Sequence, residues 1–557
     1  VAFLCALAIS LLMILPRWVE LWTPRWLSRA LAIGLLWVLA AVQGVGLFLA
    51  PVGLCAGVAI YAAGRRRGLR RPLAARLGLL CGVLMVSSWL IEGVAGVILR
   101  LQTRPPALPR GLPRSGEGVI ALAVIGESSA RGEPYQDWVS MPRLVAWQLE
   151  RMRPGIKVSV ADLAVGGICL EQAILMLYRL EVKPDVLIVY SGHNEFQARY
   201  GWSRHVRYYR EESPHRPWGD EFLERGADVS KALRLIRHTI DLQRVPVGPP
   251  PEVTRGLVDR PVCSSEEYAF LRQDYERRLS DLLDWCRSEG ILPIVVVPPG
   301  NEGDYPPVRS MLGRNVPLME RESFGESFHA ARMREQTDPG GARRIYEQLL
   351  GRHPEFAELH YRLGKLLVNA GEARAAVEHF IISRDRDGLP LRMPSDFQEI
   401  VRREGRRGGA IVVDGPRVFR SRSATGILGN DWFHDAHHPN LRGYAALAEE
   451  ALAGLIARRA AGLTGQERAP EIDLREVANT FGLDAAAWAQ VCEKSANFFA
   501  RTAYTRYDPS ESLSWGGRFM DAARAIRAGT PPEATGLPGI GVEMNTASGM
   551  TPAETGR

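Results

Sequence analysis

The tightest constraint on the fold is a run of seven apolar residues, Val119 to Ile125, that stops at Gly126-Glu127-Ser128-Ser129. A short apolar run that ends in glycine and small hydroxyl residues reads as a buried parallel strand feeding a tight turn. Ser128 then sits at the carboxyl end of a strand, where open α/β sheets place their ligand crevice. The competing role for Ser128-Ser129 is to cap the helix that follows.

The same pattern recurs downstream. Lys157 to Val165 reads as a second strand ending at Gly166-Gly167, Val186 to Tyr190 as a third, Ile291 to Val297 as a fourth and Ala410 to Val413 as a fifth. Helical stretches separate them. The first has Ser140 as its cap and Pro142 in its first turn, where proline is tolerated. A second spans 169–181, and a third follows Ser264-Ser265-Glu266-Glu267, which has the form of a capping box. Strands alternating with helices imply a parallel sheet covered on both faces, an α/β fold.

The chain of 557 residues is long enough for more than one domain. Hydrophobic residues make up 46% and charged residues 24%, but the average hides a division. Residues 1–100 are strongly apolar with almost no acids. They are expected to form a transmembrane region of about three to four helices. Trp18, Trp22 and Trp26 suit the headgroup level, and Arg65, Arg66, Arg67, Arg70, Arg71 and Arg76 form a cluster that stays in the cytoplasm. That arrangement places everything beyond residue 100 on the extracytoplasmic side of the cytoplasmic (inner) membrane. Much of the net charge of +7 comes from this cluster, so it does not point to nucleic acid.

Residues 101–118 carry Pro105, Pro106, Pro109 and Pro113 and read as a semi-extended linker. The soluble domain is expected to span 119–460, with two insertions. Residues 197–262, rich in Arg, Tyr, Trp and Pro, read as an exposed loop or a lid beside the crevice. Residues 330–388 carry Leu363, Gly364, Leu367, Ala376 and Phe380, with Ala342 and Tyr346 one 34-residue period earlier. That pattern resembles a short tetratricopeptide insertion, expected to dock a protein partner and to lean on the main domain. Residues 470–528 read as further amphipathic helices and 529–557 as a disordered tail. The seven cysteines are scattered without CxxC spacing, which suggests free thiols and neither disulfides nor a zinc site.

Acyl transfer by serine needs a nucleophile, a base, an orienting carboxylate and donors for the oxyanion. Strand ends supply all of these. Ser128 follows the first strand. Gly167 follows the second, where a bare backbone N–H can approach a substrate oxygen. Asn194 follows the third with an amide donor. Asp435 and His438 share a turn after the fifth, close enough for the carboxylate to hold the imidazole while Nε2 takes the serine proton. His434 and His437 lie beside them, but two histidines on one turn without a third ligand make a metal the weaker reading.

Four stretches together resemble the sequence blocks of the SGNH (GDSL-type) hydrolase family: Gly126-Glu127-Ser128, Asp162 to Gly167, Gly192-His193-Asn194-Glu195, and Asp435-Ala436-His437-His438-Pro439. The resemblance covers roughly 119–196, 290–300 and 408–458. It implies a flavodoxin-like three-layer α/β/α domain with Ser128 as nucleophile, His438 as base and Asp435 as its partner. It also implies an oxyanion hole of the Ser128 N–H, the Gly167 N–H and the Asn194 side chain, and no cofactor. Four positions depart from the family pattern: Glu127 and Glu195 stand where Asp is usual, Asp162 where Asn is common and Ala164 where Gly is common. The expected activity is hydrolysis or transfer of acyl esters on an extracytoplasmic molecule such as a polysaccharide. The alternative is a catalytically inert, membrane-tethered scaffold with the repeats as its working surface.

Overall fold

The computed structural model describes residues 90–98, 108–198, 230–233, 235–236, 263, 265–313, 316–503 and 509–542. The expected transmembrane region thus lies outside the described residues except for 90–98, which are helical; most of loop 197–262 also lies outside them. Among the described residues no helix is long and apolar enough to cross a membrane. Helix 90–98 belongs to a separate compact unit with residues 230–236, in which the Glu92 carboxylate accepts from the backbone N–H of Lys231 at 2.7 Å.

The other unit is built on five parallel strands, β1 (Val119–Gly126), β2 (Lys157–Asp162), β3 (Val186–Tyr190), β4 (Leu292–Val297) and β5 (Ile411–Asp414), in the order β2-β1-β3-β4-β5. Each lies within a few residues of its expected place. The central strands carry consecutive apolar residues because both faces are covered: Ala123, Val124 and Ile125 of β1 and Leu187 and Ile188 of β3 are fully buried. The edge strand β2 instead alternates and stays partly exposed.

Ahead of the crossover helices comes the one-turn helix α1 (Ser128–Arg131). Helices α2 (Met141–Met152) and α11 (Leu441–Ala457) pack together on one face of the sheet. Helices α3 (Leu170–Met176), α4 (Ser265–Glu289) and α9 (Ser395–Arg407) cover the other. Ser140 caps α2 as its position predicts, its side chain accepting from Arg143 N–H. The chain moves outward from β1 to β2, then back across β1 to β3, so the crossover helices change face. The carboxyl ends of β1 and β3 therefore flank a topological switch point, where doubly wound sheets leave a crevice.

Between β4 and α9 lie four successive helices, α5 (Leu318–Arg334), α6 (Pro339–Arg352), α7 (Ala357–Asn369) and α8 (Ala373–Asp385), each packed on the next. They begin earlier than the expected insertion at residue 330. Ala342 and Tyr346 join one small core, and Leu363, Leu367, Ala376 and Phe380 another. A methyl group on Gly364 would stand 2.6 Å from Phe380 Cε1, so only glycine lets α7 and α8 approach this closely. The insert leans on the sheet domain through Lys365–Asp304 at 2.8 Å and Arg362–Glu511 at 3.0 Å.

After β5 and α10 (Gly415–Ser421) and the long α11 come α12 (Leu474–Phe481), α13 (Ala485–Ala503) and α14 (Ser510–Arg527). They share one continuous core with the sheet through Val477, Trp488, Phe499, Phe519 and Ile526. Two expectations change here. Residues 529–542, taken from composition as part of a disordered tail, are packed: Leu537 and Ile540 are buried in that core, because these two apolar residues punctuate the Gly and Pro. Residues 543–557 lie outside the described residues. Residues 108–118, part of the stretch 101–118 read as a semi-extended linker, adhere to the domain: Leu108 and Leu112 pack on the core and Lys183 N–H donates to Pro113 O at 2.7 Å. The cysteines of the described residues, Cys169, Cys263, Cys286 and Cys492, are free and buried.

Candidate active site

Ser128 is placed by the way β1 ends. Gly126 has φ +149°, and a Cβ there would lie 2.0 Å from Tyr190 O of β3, so the strand can turn only with glycine at this point. Ser128 then heads α1, where backbone N–H groups have no intrahelical partner.

The turn after Phe433 brings the remaining polar groups to the same rim. Ser128 Oγ lies 2.8 Å from His438 Nε2, and His438 Nδ1 lies 2.7 Å from Asp435 Oδ2. The other carboxylate oxygen, Asp435 Oδ1, accepts from the backbone N–H groups of His437 and His438, each at 3.0 Å. All three side chains are nearly enclosed, with Ser128 6% and His438 5% exposed. Burial alone works to raise the Asp435 pKa, but the neighbouring His438, its hydrogen bond and the backbone donors outweigh it and hold the carboxyl down at about 2. For His438 burial works to lower the pKa. The Asp435 carboxylate and its hydrogen bond prevail and raise it above the ordinary histidine value. The pair is a carboxylate that stays charged and an imidazole made a better base by it.

The segments that carry the expected oxyanion donors border the end of β1. The segment after β2 stays beside β1 through Leu163 N–H to Val124 O at 2.9 Å and Val165 N–H to Gly126 O at 3.1 Å. A methyl group on Gly166 would lie 3.8 Å from Ser128 Cβ, which puts Gly166, the residue before Gly167, against the serine. Gly167 has φ +79°, a left-handed conformation that suits glycine. Asn194 is buried, and its Nδ2 has no protein partner among the described residues.

The groups that fix these loops have no role assigned from the sequence, where Glu127 and Glu195 stand out only as departures from the family pattern. Glu127, fully buried, accepts from the backbone N–H groups of Gly192, His193 and Asn194 at 3.0, 2.7 and 2.9 Å. Burial pushes its carboxyl up to about 8 against the pull of those donors. Glu195 accepts from Leu170 N–H at 2.7 Å, joining the loop after β3 to the start of α3. Asn301, after β4, holds the Asp435 turn by donating from Nδ2 to Asp435 O at 3.0 Å and from its backbone N–H to Ala436 O at 2.8 Å. The signal available in sequence was a polar residue directly after an apolar run. For Glu127 and Glu195 it was also the longer acid where the resembled family has Asp.

The neighbouring histidines form a neutral layer. His193 stacks on His437 at 4.5 Å between ring centroids, and His437 lies 4.3 Å from His438. Burial, then the charge of His438, keeps the pKa of both His193 and His437 well below normal. His434 bonds Tyr135 Oη at 2.5 Å, and burial lowers it to about 4. Among the described residues no group of three His, Cys, Asp or Glu is arranged to hold a metal ion. Phe498 of α13 sets its edge against His438 at 5.3 Å, so the carboxyl-terminal helices roof the site.

No family model and no curated protein matches this chain. Among solved structures the chain is similar to LAE5, described as an alpha/beta hydrolase enzyme from the metagenome of Lake Arreo, Spain. The identity is 14% over 60% of this chain and 94% of that one, with a TM-score of 0.27. It is also similar to a form of Axe2, an acetyl xylan esterase from Geobacillus stearothermophilus, at 12% identity over 62% of this chain and 96% of that one, again with a TM-score of 0.27. Likeness at this level leaves the chemistry to be argued from the site.

Proposed function

We propose that the chain is a serine esterase or O-acyltransferase of the SGNH (GDSL) type, with Ser128 as nucleophile, His438 as general base and Asp435 as the carboxylate that orients it. The observation that carries this reading is the unbroken run of hydrogen bonds from Ser128 Oγ through the His438 ring to Asp435. A hydroxyl, an imidazole and a carboxylate in that sequence are the parts of a serine acyl-transfer site. The strand order supports the flavodoxin-like domain that the resemblance implies.

In the first step Ser128 Oγ bonds to the ester carbonyl carbon while its proton passes to His438 Nε2. The carbonyl electron pair moves to oxygen, where the N–H groups of Ser128 and Gly167 and the amide of Asn194 stabilise it. The C–O bond to the leaving alcohol then breaks, and His438 returns the proton to that oxygen. Water, or a second hydroxyl in a transferase, repeats the sequence on the acyl-enzyme with His438 again as base. Asp435 keeps its charge throughout and holds the proton of His438 on Nδ1.

The apolar first hundred residues and their arginine cluster support anchoring in the cytoplasmic membrane with the site outside, facing ester groups of a cell-surface polymer such as a polysaccharide. The four-helix insert is the surface we assign to a protein partner, in the manner of tetratricopeptide repeats. Replacing Ser128 with Ala in the full-length chain tests the chemistry. Turnover of p-nitrophenyl acetate falls to background under this reading, and full retention of turnover removes Ser128 from its role.

A further inference from the structure

Beside the nucleophile stands a carboxylate to which the acyl-transfer steps give no direct contact, although its charge is one of those that raise the His438 pKa. A methyl group built on Gly166 would lie 3.2 Å from Glu133 Oε1 and 3.8 Å from Ser128 Cβ, so the acid and the serine flank the same glycine. That glycine precedes Gly167, one of the proposed oxyanion donors. Glu133 is only half-buried, so a substrate in the crevice can meet it.

Its backbone is held on both sides. Glu133 N–H donates to Ser128 O at 3.0 Å, closing the turn that presents the serine, and Tyr444 Oη donates to Glu133 O at 2.6 Å. The carboxylate itself has no hydrogen bond or ion pair among the described residues. The acids around it are otherwise engaged: Glu127 with the loop after β3, Asp435 with His438, and Asp137 with Lys494 at 2.5 Å. A half-buried negative charge without a hydrogen-bonding or ion-pair partner among the described residues is therefore left beside Ser128.

We propose that Glu133 is a specificity-determining residue: its carboxylate forms a negative subsite beside Ser128 that admits neutral or cationic esters and turns away anionic ones. The inference rests on the acyl-transfer reading and narrows it. The ester would be carried by a neutral or amino-bearing molecule, and not by one whose carboxylate, sulfate or phosphate lies next to the acyl group.

The test compares the full-length chain with Glu133→Gln, which keeps the shape and removes the charge. The substrates are p-nitrophenyl acetate, neutral, and the mono-p-nitrophenyl ester of succinic acid, anionic. Removing the charge should raise kcat/KM for the anionic ester relative to the neutral one by about tenfold, the scale of one unit charge acting through about 7 Å at an effective dielectric of about 30. Because the Glu133 charge also acts on His438, the readout is the ratio of the two esters, in which an effect on the shared base cancels. An unchanged anionic-to-neutral ratio overturns the proposal. A second measurement needs no variant. Raising the salt concentration should relieve the wild-type penalty on the anionic ester relative to the neutral one, because salt screens a half-exposed charge; equal salt responses overturn the proposal. A wild-type chain inert toward both esters would defeat the acyl-transfer reading itself, a different result from activity without charge discrimination.

Discussion

Replacing Asp435 with Asn separates the electrostatic role of this residue from its structural one. The carboxylate makes three hydrogen bonds: one oxygen takes the backbone N–H groups of His437 and His438, the other takes His438 Nδ1. An asparagine keeps an oxygen for the two backbone donors, so the turn survives. Loss of charge assistance should cost about 1–3 kcal/mol of stability. The amide NH2 then faces His438 Nδ1, which must accept instead of donate. The ring proton moves to Nε2, the nitrogen 2.8 Å from Ser128 Oγ. A protonated Nε2 cannot take the serine proton. The expected loss in kcat is about 10⁴-fold, equivalent to about 5.5 kcal/mol of barrier. Initial rates on p-nitrophenyl acetate measure the loss in kcat, and denaturant unfolding of the same preparation measures the loss in stability. A folded variant with a rate within tenfold of wild type would refute the reasoning.

Three further outcomes follow from the geometry. Asn194→Ala removes one oxyanion donor and should lower kcat by about 10²–10³ with KM little changed; an equal rise in KM would instead mark a ground-state contact. Activity requires neutral His438, whose pKa is raised by Asp435 despite burial, so kcat/KM should fall with decreasing pH through a value above the ordinary histidine pKa. The stability contributed by protonated His438 runs the opposite way. It is fully present below the unfolded-state pKa of about 6.5 and is lost as pH rises through the higher folded value; a pH–rate profile and a pH series of melting temperatures check both signs. Gly364→Ala forces a methyl against the Phe380 ring, 2.6 Å away in the present packing, and should destabilise the chain by about 1–3 kcal/mol without altering the rate on a small ester.

Much of the sheet was legible because its central strands are buried on both faces and therefore announce themselves as unbroken apolar runs. Val186 to Tyr190 lies where the pattern put it. Ser128 and Asn194 stood out for a related reason, since each follows closely on an apolar strand, whereas Asp435 and His438 lie beyond α10, well past the end of β5, and stood out by their spacing on one turn and by the family resemblance. The supporting shell was less visible. Glu127, Glu195 and Asn301 act by reaching backbone groups in segments distant in the chain, and no local period encodes those contacts. The roof over the site was also hidden. Phe498 lies on an ordinary amphipathic helix, and only tertiary packing brings its ring to His438. Residues 529–542 were misread because Gly and Pro dominate the composition, while Leu537 and Ile540 supply enough apolar surface to dock.

The central claim is that Ser128 is an activated nucleophile, and a fluorophosphonate probe tests it directly. The full-length chain should take up one probe molecule, and peptide mapping by mass spectrometry should place it on Ser128. Labelling should disappear in Ser128→Ala. No labelling of the folded wild-type chain, or labelling at a different serine, would contradict the account.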